Sequence, residues 1–219
     1  MIEDTRVTAV QRLLLRVAFG GGVLVLLLIA FVAKFEFIET PSVLDHAQIA
    51  RNLAEGRGLT HSVVRPLGLA LAGERAYSVT FSAPLYPMIL SVAVRLLGAN
   101  GHVIVLVSVG FAALTLALMY AICMRFLNEQ IAVASVGVMA LTVPFIMHAV
   151  AGTEVSCLAF LITGLFGLLF AWRESSNQDS HWWPIAASVI VALCWLVRYE
   201  MISLLPCVAV FWLLADPNL

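Results

Sequence analysis

Residues Leu96–Met124 read LLGANGHVIVLVSVGFAALTLALMYAICM, a stretch without Asp, Glu, Lys or Arg that is closed by Arg125. A transmembrane helix needs about 20 mostly apolar residues and tolerates few charges at its centre, so this segment is long enough to cross a bilayer. The rest of the chain repeats the pattern. Of 219 residues, 62% are hydrophobic and 11% charged, with a mean hydropathy of +1.02. Soluble domains carry roughly 45–50% apolar and about 25% charged residues, which excludes a water-soluble globule. Twelve basic and 13 acidic residues give a formal charge of −1 and no basic surface for a phosphate backbone, so nucleic acid is not a partner. Long apolar runs, in place of polar tracts, Gly-X-Y triplets or heptads, also exclude disorder, collagen and a coiled coil.

Working outward, uncharged runs at Val17–Ala33, Gln130–Thr153, Val155–Trp172, Ser180–Val197 and Met201–Ala215 join Leu96–Met124 to predict about six transmembrane helices. The fold class is therefore all-α and polytopic. It forms one transmembrane domain over 1–219, with a first span in 1–35, a loop over 36–101 and the remaining spans in 102–219. Arg198-Tyr199-Glu200 contains no Gly or Pro, so one long tilted helix from Trp183 to Leu214 is the alternative for the last pair. Arg6, Arg12 and Arg16 precede the first run, which is longer than a signal-peptide core and lacks an A-x-A site, so it reads as an uncleaved anchor. The positive-inside bias puts those arginines, Arg125 and Arg173 in the cytoplasm. Both termini of this multi-pass protein of the cytoplasmic membrane are then cytoplasmic. The loop 36–101, the Gly152–Glu154 turn and Arg198–Glu200 share the external face.

A loop of this length is functional more often than idle. Thr40-Pro41-Ser42 opens a helix with Ser42 as N-cap, with Val43, Ala47, Ala50 and Ala54 on one face and Gln48, Arg51, Asn52 and Glu55 on another; Gly56-Arg57-Gly58 stops it. A second helix begins near Pro84 or Pro87 and runs to Gly98 with Arg95 as its only charge. Both suit a position along the membrane surface. His61 to Phe81 has no clear periodicity and reads as irregular.

Several stretches together resemble a known family. Asp45-His46-Ala47-Gln48-Ile49-Ala50-Arg51-Asn52-Leu53-Ala54-Glu55-Gly56-Arg57-Gly58 resembles the D-x-x-x-Y-x-x-x-A-R-N-L-x-x-G-x-G element of bacterial GT-C glycosyltransferases related to protein mannosyltransferases and aminoarabinose transferases, although the tyrosine is not matched. Ser82-Ala83-Pro84-Leu85-Tyr86-Pro87 with Arg95-Leu96-Leu97-Gly98 resembles the family's P-P-L-Y-P and R-L-x-G elements. Thr153-Glu154 resembles its T-E, and Cys194-Trp195-Leu196-Val197-Arg198-Tyr199-Glu200 its L-x-x-L-x-R-x-E. The four fall in the family's order. Members are usually considerably longer, so the chain reads as an N-terminal half. They also often carry a second acidic residue beside the loop aspartate, where this chain has His46.

The resemblance implies transfer of a sugar from a polyprenyl-phosphate-linked donor on the external face. Such transfer needs a base for the acceptor's proton and stabilisation of the departing phosphate. Asp45 is the catalytic base that the resemblance implies, while its bland alternative is a capping box with Ser42. Glu154 at the start of a span is a substrate-binding carboxylate and Arg198 a lipid-phosphate ligand, whose guanidinium forks onto phosphate oxygens. Arg51, Arg57 and His61 are further substrate-binding candidates, against which stands the simpler role of solvated loop charges. No cofactor can be read from spacing: a divalent metal would require Asp45 and Glu154 to converge in three dimensions. His102 and His148 read as interface residues near span ends, and Cys123, Cys157, Cys194 and Cys207 as structural. Implied partners are the lipid-linked donor, membrane lipids and other membrane subunits that supply further spans. The rival to an enzyme is a non-catalytic GT-C-derived subunit that scaffolds a larger membrane complex; a transporter is disfavoured because no charge lies mid-span and the halves show no repeat.

The sidedness is testable by cysteine labelling. Arg57→Cys should react with an impermeant reagent added outside, whereas Asn128→Cys should not; the opposite pattern would invert the topology.

Overall fold

The computed structural model describes residues 41–61, 77–78, 83–175 and 181–215. The anchor Val17–Ala33, its flanking arginines and most of the segment between the two loop helices lie outside the described residues. The described elements are α1 (Pro41–Ala54), β1 (Thr60–His61), β2 (Tyr77–Ser78), α2 (Leu85–Leu97), α3 (Gly101–Phe126), α4 (Glu129–Leu141), α5 (Val143–Ala151), α6 (Val155–Glu174), α7 (Trp182–Val197), a 3-10 turn (Tyr199–Ser203) and α8 (Leu204–Ala215).

Helices α1 and α2 form over the two stretches that the sequence marks as helical. α1 takes in Pro41, one residue earlier than expected, so Ser42 lies inside the first turn and not at the cap. The helix closes as a Schellman motif: Gly56 adopts φ +79°, its N–H reaches Leu53 O at 3.1 Å, and the Arg57 N–H reaches Asn52 O at 2.8 Å. Asn52, expected on the polar face, is buried and donates from Nδ2 to Thr60 O at 2.8 Å. Thr60 pairs with Ser78 and His61 with Tyr77 in an antiparallel ladder, within a stretch expected to be irregular. α2 runs from Pro84 at its cap to Gly98, whose φ of +93° ends it.

Among the described residues, two helices are long and apolar enough to cross a membrane, α3 with 26 residues and α6 with 20. At 1.5 Å per residue α3 can span the roughly 30 Å hydrocarbon core with some tilt. They lie against each other, helped by small residues on α6: a Cβ at Gly164 would lie 3.8 Å from Leu118 Cδ2, and one at Gly167 only 2.7 Å from Ile122 Cδ1. Where one helix was expected over Gln130–Thr153, α4 and α5 form a pair bent by 62°. Pro144 is the physical reason, because it has no N–H to give Ala140 O and its ring displaces that carbonyl. Together the pair makes a third membrane-capable unit. The expected choice between one long helix and two after Trp183 resolves as a break: Arg198 is extended at φ −148°, ψ 122°, and the 3-10 turn leads into α8. Pro206 would interrupt a continuous helix, yet it is tolerated in the first turn of α8, where its missing N–H has no intrahelical partner. α7 and α8 are apolar but shorter.

Among the described residues the core has three patches. Ala112, Leu116, Val136, Ala140 and Ala149 join α3 to α4 and α5, while Leu165, Leu169, Ala187 and Val191 join α6 to α7, where Trp172 stacks on Trp212 of α8 at 4.0 Å. The third patch draws Val43 and Ala50 of α1, Tyr86 and Leu90 of α2, Ile104 of α3, Cys157 and Leu158 of α6, and Cys194 and Val197 of α7 into one cluster. Elsewhere the long helices expose Leu106, Leu114, Phe166 and Phe170, and α7 exposes Ile185, as side chains facing lipid would be.

Gly152, between α5 and α6, holds φ +75°, and a Cβ there would approach Ile104 Cγ2 to 3.1 Å. Gly152→Ala should therefore lose about 1–2 kcal/mol from the left-handed backbone alone and more from the displaced Ile104. Gly110→Ala, with nothing within 4 Å of its added Cβ, should lose nothing. Melting of both variants in detergent checks the contrast, and equal melting temperatures would contradict it.

Candidate functional site

At the end of the bundle where α1 and α2 pack on the α5–α6 turn, polar side chains meet inside the third cluster. Tyr86 is fully buried, and its hydroxyl donates to Gly152 O at 2.8 Å. Burial, reinforced by Cys157 and Glu154, pushes its phenol well above the ordinary value of 10, so the hydroxyl remains a donor at any physiological pH. From α3, the buried Ser108 Oγ lies within hydrogen-bond reach of His148 O (3.3 Å), Thr153 O (3.2 Å) and Ser156 Oγ (3.0 Å). Thr153 Oγ1 donates to His148 O at 3.1 Å. The turn carrying Glu154 is thus held from two sides.

Facing it from α1 is His46. Its Nδ1 stands 3.6 Å from Glu154 Oε2, with side chains 9% and 13% exposed. That is too long for a hydrogen bond, and neither atom has another partner, although both are covered. The imidazole and the Tyr86 ring meet in a T-shaped contact with centroids 5.5 Å apart and planes at 73°. Burial lowers the His46 pKa below its ordinary 6.5, and the carboxylates of Glu154 and Asp45 act against that shift.

The residues expected from the sequence fall into two groups. Asp45 precedes His46 on α1, is half-buried and, like Glu154, acts electrostatically on that imidazole. Val197 is buried in the same cluster, and Arg198 leaves α7 directly after it, 40% exposed, with Nη2 3.1 Å from Glu200 Oε2. Arg51 and Arg57 are outside this interior. Both pair with Glu55, Arg51 through Nε at 3.0 Å and Arg57 through Nη2. Arg51 also lines a groove of about 320 Å³ between α1 and the start of α3, with Leu44, Gln48, Val94, Asn100 and Ile104 among its walls. His61 supplies backbone to β1, and its side chain lies outside the described residues. Among the described residues no three His, Cys, Asp or Glu side chains converge as a metal site.

His46 and Tyr86 are the side chains at this junction that the sequence did not single out as candidates. A signal for His46 was present: Val43, His46 and Ala50 follow the i, i+3, i+7 spacing of a buried helix stripe.

Residues 82–219 match the family described as dolichyl-phosphate-mannose-protein mannosyltransferase. No curated protein and no solved structure matches. The matched region contains Tyr86, Ser108, Glu154 and Arg198, and α1 with Asp45 and His46 lies before it.

A histidine whose folded pKa is lowered binds its proton more readily in the unfolded chain, so stability rises with pH through that window. The His46 contribution should be complete above about pH 6.5 and decline as pH falls through that value. Melting from pH 8 to 5 should fall more steeply for the natural chain than for His46→Gln. Parallel curves would mean that His46 is not held neutral by burial.

Proposed function

The chain belongs to the dolichyl-phosphate-mannose-protein mannosyltransferase family, and on that premise we propose that it is a GT-C-type membrane glycosyltransferase, or the N-terminal membrane part of one, that uses a polyprenyl-phosphate-linked sugar on the external face of the cytoplasmic membrane. In this proposal about six spans carry the chain, both termini are cytoplasmic, and α1 and α2 lie along the external membrane surface. Membrane lipids surround the exposed apolar faces, and further membrane subunits complete the bundle.

The observation that carries the proposal is the approach of His46 to Glu154 at 3.6 Å. Through it the residue after Asp45 touches the turn that bears the second carboxylate, so two acidic groups distant in sequence share one region. Asp45 serves as the base that takes the proton from the acceptor hydroxyl while the oxygen attacks the sugar's anomeric carbon and the lipid phosphate leaves. Glu154 binds the acceptor, Arg198 takes the departing phosphate, and Arg51, Arg57 and His61 form the polar rim on the donor side. Electrostatic stabilisation of the leaving phosphate is the larger demand, because a dianionic leaving group develops charge that only fixed cations or donors can meet at low dielectric. Arg198 suits it, being held at the end of α7 by buried Val197 with its guanidinium 40% exposed.

The test follows mannose transfer from radiolabelled dolichyl-phosphate-mannose to a Ser/Thr-rich peptide by the full chain in liposomes. Asp45→Asn keeps size and polarity but cannot accept the proton, so turnover should fall roughly 10²–10⁴-fold with melting unchanged. Unchanged transfer with lowered melting would make Asp45 structural. No transfer by the natural chain, even with its membrane partners present, would favour a scaffolding subunit over an enzyme.

A further inference from the structure

His46 Nδ1 and Glu154 Oε2 are both covered, both without a hydrogen-bond partner, and they face each other. A carboxylate can only accept, so if His46 also presented a lone pair at Nδ1, two acceptors would oppose each other in the interior. A proton on Nδ1 resolves both deficits, and a closure of less than 1 Å from 3.6 Å brings the pair into hydrogen-bond range. The surroundings favour that closure. The T-shaped contact with the Tyr86 ring sets the imidazole plane, and the Tyr86 hydroxyl holds Gly152 O, two residues before Glu154. One side chain thus fixes the imidazole and the turn that carries its partner.

We propose that His46 is a positioning residue for Glu154: its neutral imidazole, protonated on Nδ1, donates to Glu154 Oε2 and fixes the direction in which the other carboxylate oxygen meets the acceptor hydroxyl. This rests on Glu154 being the acceptor-binding carboxylate. Burial of His46 opposes a second proton on the ring and so agrees with the neutral form. The titratable groups that face the imidazole are Asp45 on its own helix, Glu154 from the α5–α6 turn and Tyr86 from α2, with Cys157 of α6 acting on Tyr86 in turn. A carboxylate that orients an imidazole through Nδ1–H is a common device for fixing a tautomer; here the imidazole equally fixes the carboxylate.

The experiment has two arms. In the first, ¹⁵N NMR of the full chain in micelles, labelled at its five histidines, identifies the His46 signals by their loss in His46→Asn. The natural chain should show a neutral ring protonated on Nδ1 at pH 7.5, and Glu154→Ala should shift the proton toward Nε2. A ring protonated on Nε2 in the natural chain, or a tautomer indifferent to Glu154→Ala, would overturn the proposal. In the second arm, transfer from dolichyl-phosphate-mannose to a Ser/Thr-rich peptide is measured against peptide concentration. His46→Phe should raise the peptide KM about tenfold with kcat little changed, the loss expected for one hydrogen bond to a charged group that serves binding. His46→Asn, whose Nδ2–H replaces Nδ1–H, should restore KM to near the natural value. Transfer without that split would overturn the acceptor-facing part. No transfer at all beside an intact NMR signature would instead overturn the glycosyltransferase proposal and leave the His46–Glu154 bond established.

Discussion

A buried tyrosine hydroxyl donating to the carbonyl of a left-handed glycine is the contact on which the rest of this end of the molecule depends. Tyr86 sits on a loop helix, and Gly152 on the turn between two membrane-capable units; the 2.8 Å bond between them fastens the loop to the bundle. In a buried position neither group could be left without a partner cheaply, since an orphaned acceptor costs about 1–3 kcal/mol. Glycine is required at 152 for two reasons acting together, a φ of +75° and the nearness of Ile104. Because Glu154 follows two residues later and His46 packs on the Tyr86 ring, the approach of His46 to Glu154 depends on this bond together with the Ser108 contacts that hold the same turn.

The membrane character and the loop helices were legible in the sequence because they rest on local quantities. Charge-free runs reveal α3 and α6, and Gly56 and Gly98 mark helix ends by their tolerance of positive φ. The bend at Thr142 and the break at Arg198 were harder to see. Pro144 stands inside an apolar run, and hydropathy gives a proline no more weight than its neighbours, whereas the backbone counts its missing N–H. At Arg198 neither Gly nor Pro marks the extended residue that ends the helix. Asn52 was misplaced for another reason: as a polar residue it was assigned to solvent, yet its amide satisfies Thr60 O beneath the Gly56 turn. A polar side chain that serves a buried carbonyl cannot be told from a solvated one by periodicity alone.

The candidate site was legible only in its parts. Asp45, Glu154 and Arg198 could be named from motif resemblance, but their spacing in the chain says nothing about which of them meet. Convergence depends on α1, α2, α3, α6 and α7 sharing one apolar cluster, a property of tertiary packing. His46 shows the limit most clearly. Beside a motif aspartate it looked like a departure from the family pattern, whereas it is the side chain that actually reaches across to Glu154.

The charged pairs divide into two physical kinds, and the division bears on what each can do. Arg51–Glu55–Arg57 and Arg198–Glu200 are exposed, and exposed ion pairs are worth at most about 1 kcal/mol, so an incoming phosphate could replace the carboxylate at little cost. Those arginines are held ready rather than consumed by their partners. His46 and Glu154 are enclosed, where a lost partner would leave a buried polar atom that water does not reach. Under the proposed function an anionic ligand would therefore exchange readily at the rim and poorly at the junction. In the proposed reaction the rim would serve the lipid phosphate that arrives and departs each cycle. The enclosed pair would hold the acceptor-binding carboxylate of Glu154, whose direction must stay the same from one cycle to the next.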